Sequence, residues 1–569
     1  MQNNEELKVV ICSLNSKYIH SSLAPWCLLA GIKKYCKSNI SPFVVEGTIN
    51  EDINNVANRI LFSNPNVVGL SCYIWNINIV KQLIDIIKSA LPGCIIVLGG
   101  PEVSYNCHEV LDENPLVDFI ISGEGELPFA QLLDAIAQKE RIDKISGLAF
   151  RNEKNVIFDK PNISSEDPSS PYTQEYFDSL NGRIAYLETS RGCPYSCAFC
   201  LSGRCGSVRF FDLERAKNEI LMLANSGTQT IKFVDRTFNA NKKRAIDIFE
   251  FIIDNYGKKI PNNICFHFEI AGDILNYEMI ELLKTSPVGA IQLEIGIQSF
   301  NKKTLEYINR KTNISLLIDN IKKIIEKSNI HTHIDLIAGL PLEDFESFKK
   351  SFNVAFSLNS HMLQLGFLKL LHGSNMREQR DKFPCKYSKS PPYEVIETPW
   401  LSAQQLEDLH STEEVLDRLY NSGRFRRTID YVLKKSNLTP FDLFYEFGLF
   451  TKEMITAKLS LDDFTSIVFN FFCNKEYVNK LELRDEMVCD RLSTNPSGLI
   501  PKSLQVFNPL IKKAKYALEN NPTTKRPYGI KRGFCLLEAN PLAVYVDYQD
   551  KDPLNGDYKL KYFSYKDFM

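Results

Sequence analysis

Three cysteines fall within eight residues in Arg191-Gly192-Cys193-Pro194-Tyr195-Ser196-Cys197-Ala198-Phe199-Cys200. A compact loop can point all three thiolates at one centre, and thiolates are soft ligands suited to iron–sulfur clusters or zinc. Structural zinc sites and ordinary clusters take four protein ligands. Three ligands leave one iron of a [4Fe–4S] cluster open to an outside molecule, which is the chemical reason for such a spacing. Three buried cysteines, or zinc with a distant fourth ligand, are the competing readings at this point. Cys205 is a further thiol on the same stretch, as a fourth ligand, a reactive group or a bystander.

A second set of residues sits in loops nearer the start. Ser71-Cys72-Tyr73-Ile74-Trp75-Asn76, Leu98-Gly99-Gly100-Pro101-Glu102 and Ser122-Gly123-Glu124-Gly125-Glu126 each follow an apolar run. Small residues there permit close backbone approach to a large ligand. No Gly-x-Gly-x-x-Gly follows the first apolar run, so a dinucleotide site is weakly supported.

These loops need strands to hold them. The runs Lys8–Cys12, Phe43–Glu46, Asn66–Ser71, Cys94–Gly99 and Val117–Ser122 alternate with amphipathic stretches such as Ile79–Ala90. That pattern predicts a parallel sheet covered on both faces, with ligands beyond the C-terminal strand ends. Residues 141–182 are rich in Pro, Ser, Asn and Asp and read as a hairpin and linker. From Arg183 the alternation resumes, with strands predicted at Ile184–Glu188, Thr230–Val234, Cys265–Ile270, Ala290–Ile295, His333–Ile337 and Met362–Leu370. Six strand–helix units predict a partial (β/α) barrel with its active groups at the C-terminal strand ends. Residues 400–520 have a helical pattern, and the last 40 are rich in Tyr and β-branched residues.

The 569 residues exceed one ordinary domain. Hydrophobic residues are 44% and charged residues 24%, which excludes wholesale disorder. Lys and Arg number 67 against 69 Asp and Glu, so no global positive field recruits nucleic acid. The start lacks a secretion signal, and no apolar run reaches membrane-spanning length. The 15 cysteines are therefore expected to be reduced thiols of a cytoplasmic protein.

The spacing Cys-x3-Cys-x2-Cys, with Phe199 before the last cysteine, resembles the radical S-adenosylmethionine (SAM) superfamily. The resemblance implies that Cys193, Cys197 and Cys200 ligate a [4Fe–4S] cluster whose open iron chelates SAM. Phe233-Val234-Asp235-Arg236-Thr237-Phe238-Asn239 resembles the second-strand segment that approaches the SAM amine, although Asp235 and Arg236 replace the usual Gly-Gly-Glu. His267-Phe268-Glu269 is placed at the third strand end, with Glu269 toward SAM ribose or substrate. Gly296-Ile297-Gln298-Ser299 and Arg310 resemble the segment holding SAM ribose and carboxylate in a subfamily that includes methylthiotransferases. Asp335–Pro341 and Leu368–Met376 resemble the fifth and sixth strand ends, with His372 at the usual proline.

The first domain is similar to the cobalamin (B12)-binding domain that precedes the barrel in B12-dependent radical SAM proteins. The resemblance implies corrin contacts from Asn15, His20, Ser71, Tyr73, Gly99, Gly100, Pro101, Glu102, Gly123, Glu124 and Gly125. The first loop lacks the Asp-x-His-x-x-Gly of methionine synthase-type domains, so no axial histidine of that type is expected. The C-terminal part resembles the extension called DUF4080.

The resulting expectation is an α/β chain: a flavodoxin-like (Rossmann-type) cobalamin-binding domain at 1–140, a hairpin and linker at 141–182, a partial (β/α)6 TIM-type radical SAM barrel at 183–384, and a mostly helical DUF4080-like extension at 385–569. The implied function is generation of a 5′-deoxyadenosyl radical to methylate an unactivated carbon of a small-molecule or peptide substrate. A cyclisation, rearrangement or oxidation without methyl transfer is the first alternative, and a non-catalytic cobalamin or redox sensor the second. The implied electron donor is a low-potential carrier such as flavodoxin or ferredoxin, used where oxygen is scarce.

Overall fold

The structure is a computed structural model and describes residues 6–153, 155–163, 165–205, 207–455, 459–519 and 532–564. Packing divides the chain into two compact units. The first comprises Met1–Gln292, Leu305–Asn313 and Phe367–Pro399; the second comprises Leu293–Thr304, Ile314–Gly366 and Trp400–Met569.

The first unit begins with strands β1 (Leu7–Asn15), β2 (Ile40–Thr48), β3 (Val67–Ser71), β4 (Ile95–Gly99) and β5 (Phe119–Ile121). Helices α1 (Ala24–Tyr35), α2 (Ile53–Leu61), α3 (Ile77–Ala90), α4 (Cys107–Glu113) and α5 (Glu126–Gln138) follow them in turn. The five strands are parallel in the order β2-β1-β3-β4-β5, the doubly wound flavodoxin-like order. Strand β1 is buried from Val9 onward, as a central strand covered on both faces must be.

The expected hairpin is present as β6 (Leu148–Asn152) and β7 (Asn155–Phe158). It is more than a linker, because β6 pairs antiparallel with β5 and extends the sheet to seven strands. A short helix, α6 (Gln174–Leu180), lies where sequence predicted only linker. Its Tyr176 is fully buried and meets Trp26 edge-on, so packing overrides the polar local composition.

The barrel-type sheet starts with β8 (Ala185–Leu187). The cysteine loop follows, closed at its base by the antiparallel pair β9 (Ser190–Arg191) and β10 (Arg209–Phe210). Helix α7 (Leu213–Ala224) is capped by Asp212, whose carboxylate accepts from the Arg215 amide. Strands β11 (Thr230–Phe233) and β12 (Cys265–Ile270) run parallel to each other and are followed by α8 (Lys242–Asn255) and α9 (Tyr277–Lys284). Next come β13 (Ile291–Gln298), α10 (Lys302–Tyr307), α11 (Ile314–Ile325), β14 (His331–Ala338), α12 (Phe345–Ser357) and β15 (Met362–Phe367). The six main strands form one sheet in sequential order from β8 to β15, the expected partial (β/α)6 arrangement. Strand β13 alternates strictly, with Ile291, Leu293, Ile295 and Ile297 buried and Gln292, Glu294, Gly296 and Gln298 less so. Its polar side chains therefore share one face.

After β15, the first unit takes up α13 (Asn375–Glu378) and the strand pair β16 (Lys386–Tyr387) and β17 (Val395–Glu397). The second unit holds helices α14 (Ala403–Leu416), α15 (Arg426–Lys435), α16 (Pro440–Thr451), α17 (Leu461–Cys473), α18 (Lys480–Thr494) and α19 (Ile511–Glu519). Phe441 and Phe444 of α16 pack on Phe352 of α12 at 5.5 and 5.9 Å between ring centroids. The chain ends in an antiparallel sheet of β18 (Phe534–Leu536), β19 (Leu542–Lys551) and β20 (Tyr558–Ser564), where sequence showed a Tyr-rich β-branched run.

Candidate functional site

The cysteine loop is a closed neck carrying three thiols. Gly192 has a φ of +98°, and a side chain there would meet the Ser207 carbonyl at 2.9 Å, so only glycine lets the two strands of the neck meet this closely. Ala198 donates its amide to the Ile308 carbonyl and accepts from the Met376 amide. The loop is thus pinned by two distant stretches of the same unit.

Each thiol has a polar neighbour. The Thr237 hydroxyl lies 3.3 Å from Cys193 Sγ, Arg310 donates to Cys197 Sγ at 3.7 Å, and the Ser202 amide donates to Cys200 Sγ at 3.4 Å. Burial pushes the Cys197 thiol above its ordinary pKa, and the Arg310 guanidinium opposes that rise. A bound cation and hydrogen-bond donors to sulfur both favour the thiolate form. Phe199 is half-buried beside them, and the Cys205 backbone ends the short 3-10 turn Ser202–Cys205.

Asp235 follows β11 and is 1% exposed. Its carboxylate accepts from the Thr189 amide at 2.9 Å, the Thr189 hydroxyl at 2.8 Å and the Ser190 hydroxyl. Burial raises its pKa to about 6 against the pull of those donors. The side chain therefore holds the entrance of the cysteine loop from inside the fold. Glu269 on β12 lies 3.9 Å from Lys232 and 3.8 Å from the exposed Arg236. His267 is buried on the same face of β12.

Gln298 ends β13 in the left-handed region at φ +73°, a strained conformation for a side chain of this type. Beside it, the fully buried Ser299 hydroxyl donates to Glu343 Oε1 at 2.6 Å and accepts from the Asn301 amide at 2.9 Å. Ser351 donates to the same Glu343 oxygen at 2.9 Å, and burial raises the Glu343 pKa to about 7. Also in this unit, Glu294, His333 and Asp335 each bring a ligand-type atom within 4.8 Å of the others, with His333 Nε2 2.9 Å from Asp335 Oδ1.

In the N-terminal sheet, the register sets Ser71 beside Gly99 and Gly99 beside Ile121, so three C-terminal strand ends lie level. A side chain at Gly99 would meet nothing nearer than 3.6 Å, which leaves room there. With φ of +108° and +82°, Gly100 and Gly123 are close to the Cys72 carbonyl and the Pro161 ring, where an added carbon would sit at 2.5 and 2.8 Å. The chain's own packing thus requires glycine at both positions.

Several predicted corrin residues have their side chains engaged within the protein. Asn15 binds Ser22 and Glu46, and His20 Nδ1 lies 2.7 Å from the Tyr186 hydroxyl. Burial lowers the His20 pKa. Glu102 is buried against the Tyr393 hydroxyl, and Tyr393 in turn meets His372 edge-on at 5.0 Å. Glu124 is paired with Arg191 and Arg209, both at 2.9 Å. Tyr73 stacks on Trp75 at 4.5 Å, and Pro101 is exposed. Cys72 is fully buried.

Comparison with known proteins agrees with these features. Residues 35–133 match the B12 binding domain, 187–355 the radical SAM superfamily, and 381–527 the protein of unknown function DUF4080. This is a B12-binding radical SAM protein with a DUF4080 segment. The chain is 27% identical over 422 residues to a 2-(S-pantetheinyl)-carbapenam-3-carboxylate methyltransferase of Streptantibioticus cattleyicolor, covering 68% of this chain and 61% of that one. It is 28% identical to the cobalamin-dependent radical SAM methyltransferase TokK of Streptomyces tokunonensis, covering 53% of this chain and 47% of that one. This radical SAM protein thus spans less than two thirds of either curated relative. Its fold is similar to that of the cobalamin-dependent S-adenosylmethionine radical enzyme OxsB with aqua-cobalamin bound, at 15% identity and a TM-score of 0.61, covering 86% of this chain and 79% of that one.

The cofactors of this radical SAM protein are a [4Fe–4S] cluster, SAM and cobalamin. The donor set is chemically suited to the first: three thiols on one loop, each with a polar neighbour, and an arginine supplying positive charge beside Cys197. The level strand ends and the room at Gly99 fit the last. Sequence reasoning missed Glu188, Glu126, Arg191, Arg209 and Glu343, because their partners lie 44 to 85 residues away or on a neighbouring turn with no motif spacing. Among the described residues no helix is long and apolar enough to cross a membrane.

Proposed function

We propose that the protein methylates an unactivated carbon of a small-molecule or peptide substrate, using cobalamin and radical SAM chemistry together. The observation that carries this reading is the presence, in one compact unit, of the three-thiol loop with its arginine and the level strand ends of a B12-type sheet. Relatives named as methyltransferases support it. When bound, the cluster and SAM supply a 5′-deoxyadenosyl radical and cobalamin supplies the methyl carrier.

The chain's own residues bind and orient. Cys193, Cys197 and Cys200 hold the cluster, and Phe199 covers it. Arg310 adds positive charge beside Cys197, where a SAM carboxylate is also received. Glu269 receives another part of SAM, and the SAM-binding roles of Gln298 and Ser299 rest on the sequence resemblance alone. Asp235 acts through Thr189 and Ser190 as a positioning residue. The loops at Ser71–Tyr73, Gly99–Glu102 and Gly123–Gly125, with Asn15 and His20, surround cobalamin, mainly through backbone, because the side chains of Asn15, His20, Glu102 and Glu124 already have partners.

The working domains are 1–140, 141–182, 183–384 and 385–569, with the barrel of TIM type. The fourteen cysteines whose side chains are described are free thiols, in keeping with a reducing compartment. The reading places the protein in a low-oxygen cytoplasm with a flavodoxin- or ferredoxin-type electron donor. The test is anaerobic incubation of the cluster- and cobalamin-loaded protein with methyl-labelled SAM and dithionite. Release of 5′-deoxyadenosine and label in a product support the reading. A loaded sample that yields no 5′-deoxyadenosine overturns it.

A further inference from the structure

The neck of the cysteine loop sets two arginines directly opposite each other: Arg191 on β9 is the register partner of Arg209 on β10. Like charges placed so are unfavourable unless something compensates them. The compensation comes from three carboxylates. Glu124 lies 2.9 Å from both guanidinium groups, Glu126 at the start of α5 accepts a hydrogen bond from Arg191, and Glu188 meets Arg191 at 2.9 Å. None of the five side chains exceeds 26% exposure. The Phe211 ring lies within 5.9 Å of both guanidinium groups and shields them from one side.

A buried ionic network of this kind is a poor source of stability, because desolvation offsets its attraction. It is strongly directional, since each guanidinium offers its donors in a rigid fork. Its location matters: Glu124 in the loop after β5 and Glu126 at the start of α5 follow one of the level strand ends on the cobalamin side, while Arg191 and Arg209 are the two walls of the cluster-loop neck. Apart from this network, that neck is held by a two-residue strand pair and by the Asp235 carboxylate on Thr189 and Ser190.

We propose that Arg191, Arg209, Glu124, Glu126 and Glu188 form a spacer that fixes the distance between the cobalamin loop and the cluster loop. The five residues are positioning groups; none touches the reacting atoms. The inference rests on the two-cofactor reading above, in which a methyl group must pass between SAM at the cluster and cobalamin. A displacement of about 1 Å at such a transfer costs up to roughly a hundredfold in rate, whereas SAM cleavage at the cluster does not require cobalamin to be in register.

The test compares the loaded wild-type protein with Arg209→Gln, Glu126→Gln and the charge-keeping Arg209→Lys. The structural readout is the magnetic coupling between cob(II)alamin and the reduced cluster, which reports their separation. The chemical readout is the ratio of S-adenosylhomocysteine to 5′-deoxyadenosine. The Gln variants should keep both cofactors, show a changed or broadened separation, and lose at least about tenfold in that ratio, with Arg209→Lys falling between. Unchanged separation and ratio would overturn the spacer. So would Gln variants that unfold or shed a cofactor, since that is a plain folding role. Wild-type protein that binds both cofactors but releases no 5′-deoxyadenosine fails the two-cofactor reading instead, and the coupling measurement still decides the spacer.

Discussion

Asp235 and Glu343 are both buried carboxylates just beyond the ends of barrel-type strands, and each anchors a segment that resembles a cofactor-holding motif. Asp235 accepts one amide and two hydroxyls, spread over both its oxygens. Glu343 accepts two hydroxyls, both on Oε1, and its Oε2 has no hydrogen-bond partner among the described residues. Burial raises both by similar amounts, Asp235 from 3.8 to about 6 and Glu343 from 4.5 to about 7, and the donors on each carboxylate oppose the rise. Burial thus sets the titration of both, while the donors decide which segments each carboxylate ties together.

The strongest way to break this comparison is to remove Asp235. Asp235→Ala leaves the Thr189 amide and the Thr189 and Ser190 hydroxyls buried without their acceptor, an expected loss of about 3 kcal/mol. Iron content per protein after reconstitution should fall with it, because the loop entrance is no longer held. Asp235→Asn, which keeps one acceptor oxygen, should recover part of both; iron loading equal to wild type in the Ala variant would refute the anchoring role.

The Glu343 site sharpens the contrast through pH. Its folded pKa of about 7 lies above the ordinary 4.5, so the folded protein binds the extra proton. The stability this contributes is complete below about pH 4.5 and is lost as pH rises through about 7. Glu343→Gln removes that dependence. The melting temperature of the variant relative to wild type should therefore climb between pH 5 and pH 8, by the equivalent of roughly 2–3 kcal/mol. A flat difference across that range would show that Glu343 titrates normally.

The smallest effect belongs to Ser351→Ala. It deletes one of the two hydroxyl donors to Glu343 Oε1, at a cost of about 1 kcal/mol, and shifts the Glu343 midpoint upward. Infrared titration of the carboxyl band should show that upward shift. A midpoint moving down would mean that Ser351 does not stabilise the charged form.

What was readable before folding was whatever had a local period or a local spacing. Strand β12 falls at Cys265–Ile270 as predicted, and the amphipathic stretch Ile79–Ala90 falls within α3, because each has an uninterrupted apolar pattern. The helix α6 escaped because its short length and polar neighbours hide the buried face of Tyr176. Gly100 and Gly123 show the limit of such reading: a glycine advertises close approach but not everything that approaches, and the Cys72 carbonyl and Pro161 could not be read from the sequence. Asp235 was singled out by its motif, but the hydrogen bonds its carboxylate accepts from Thr189 and Ser190 are ones no spacing encodes.

By itself, then, the amino-acid sequence determined that three thiols share one short loop, and it determined the succession of strands and helices through their hydrophobic periods. Tertiary structure alone decided which charges meet. Arg191 and Glu126 are 65 residues apart, and Arg209 and Glu124 are 85 apart. Such pairs are created by the register of one strand against another and by helix packing, and long-range contacts of that kind leave no periodic trace in the chain.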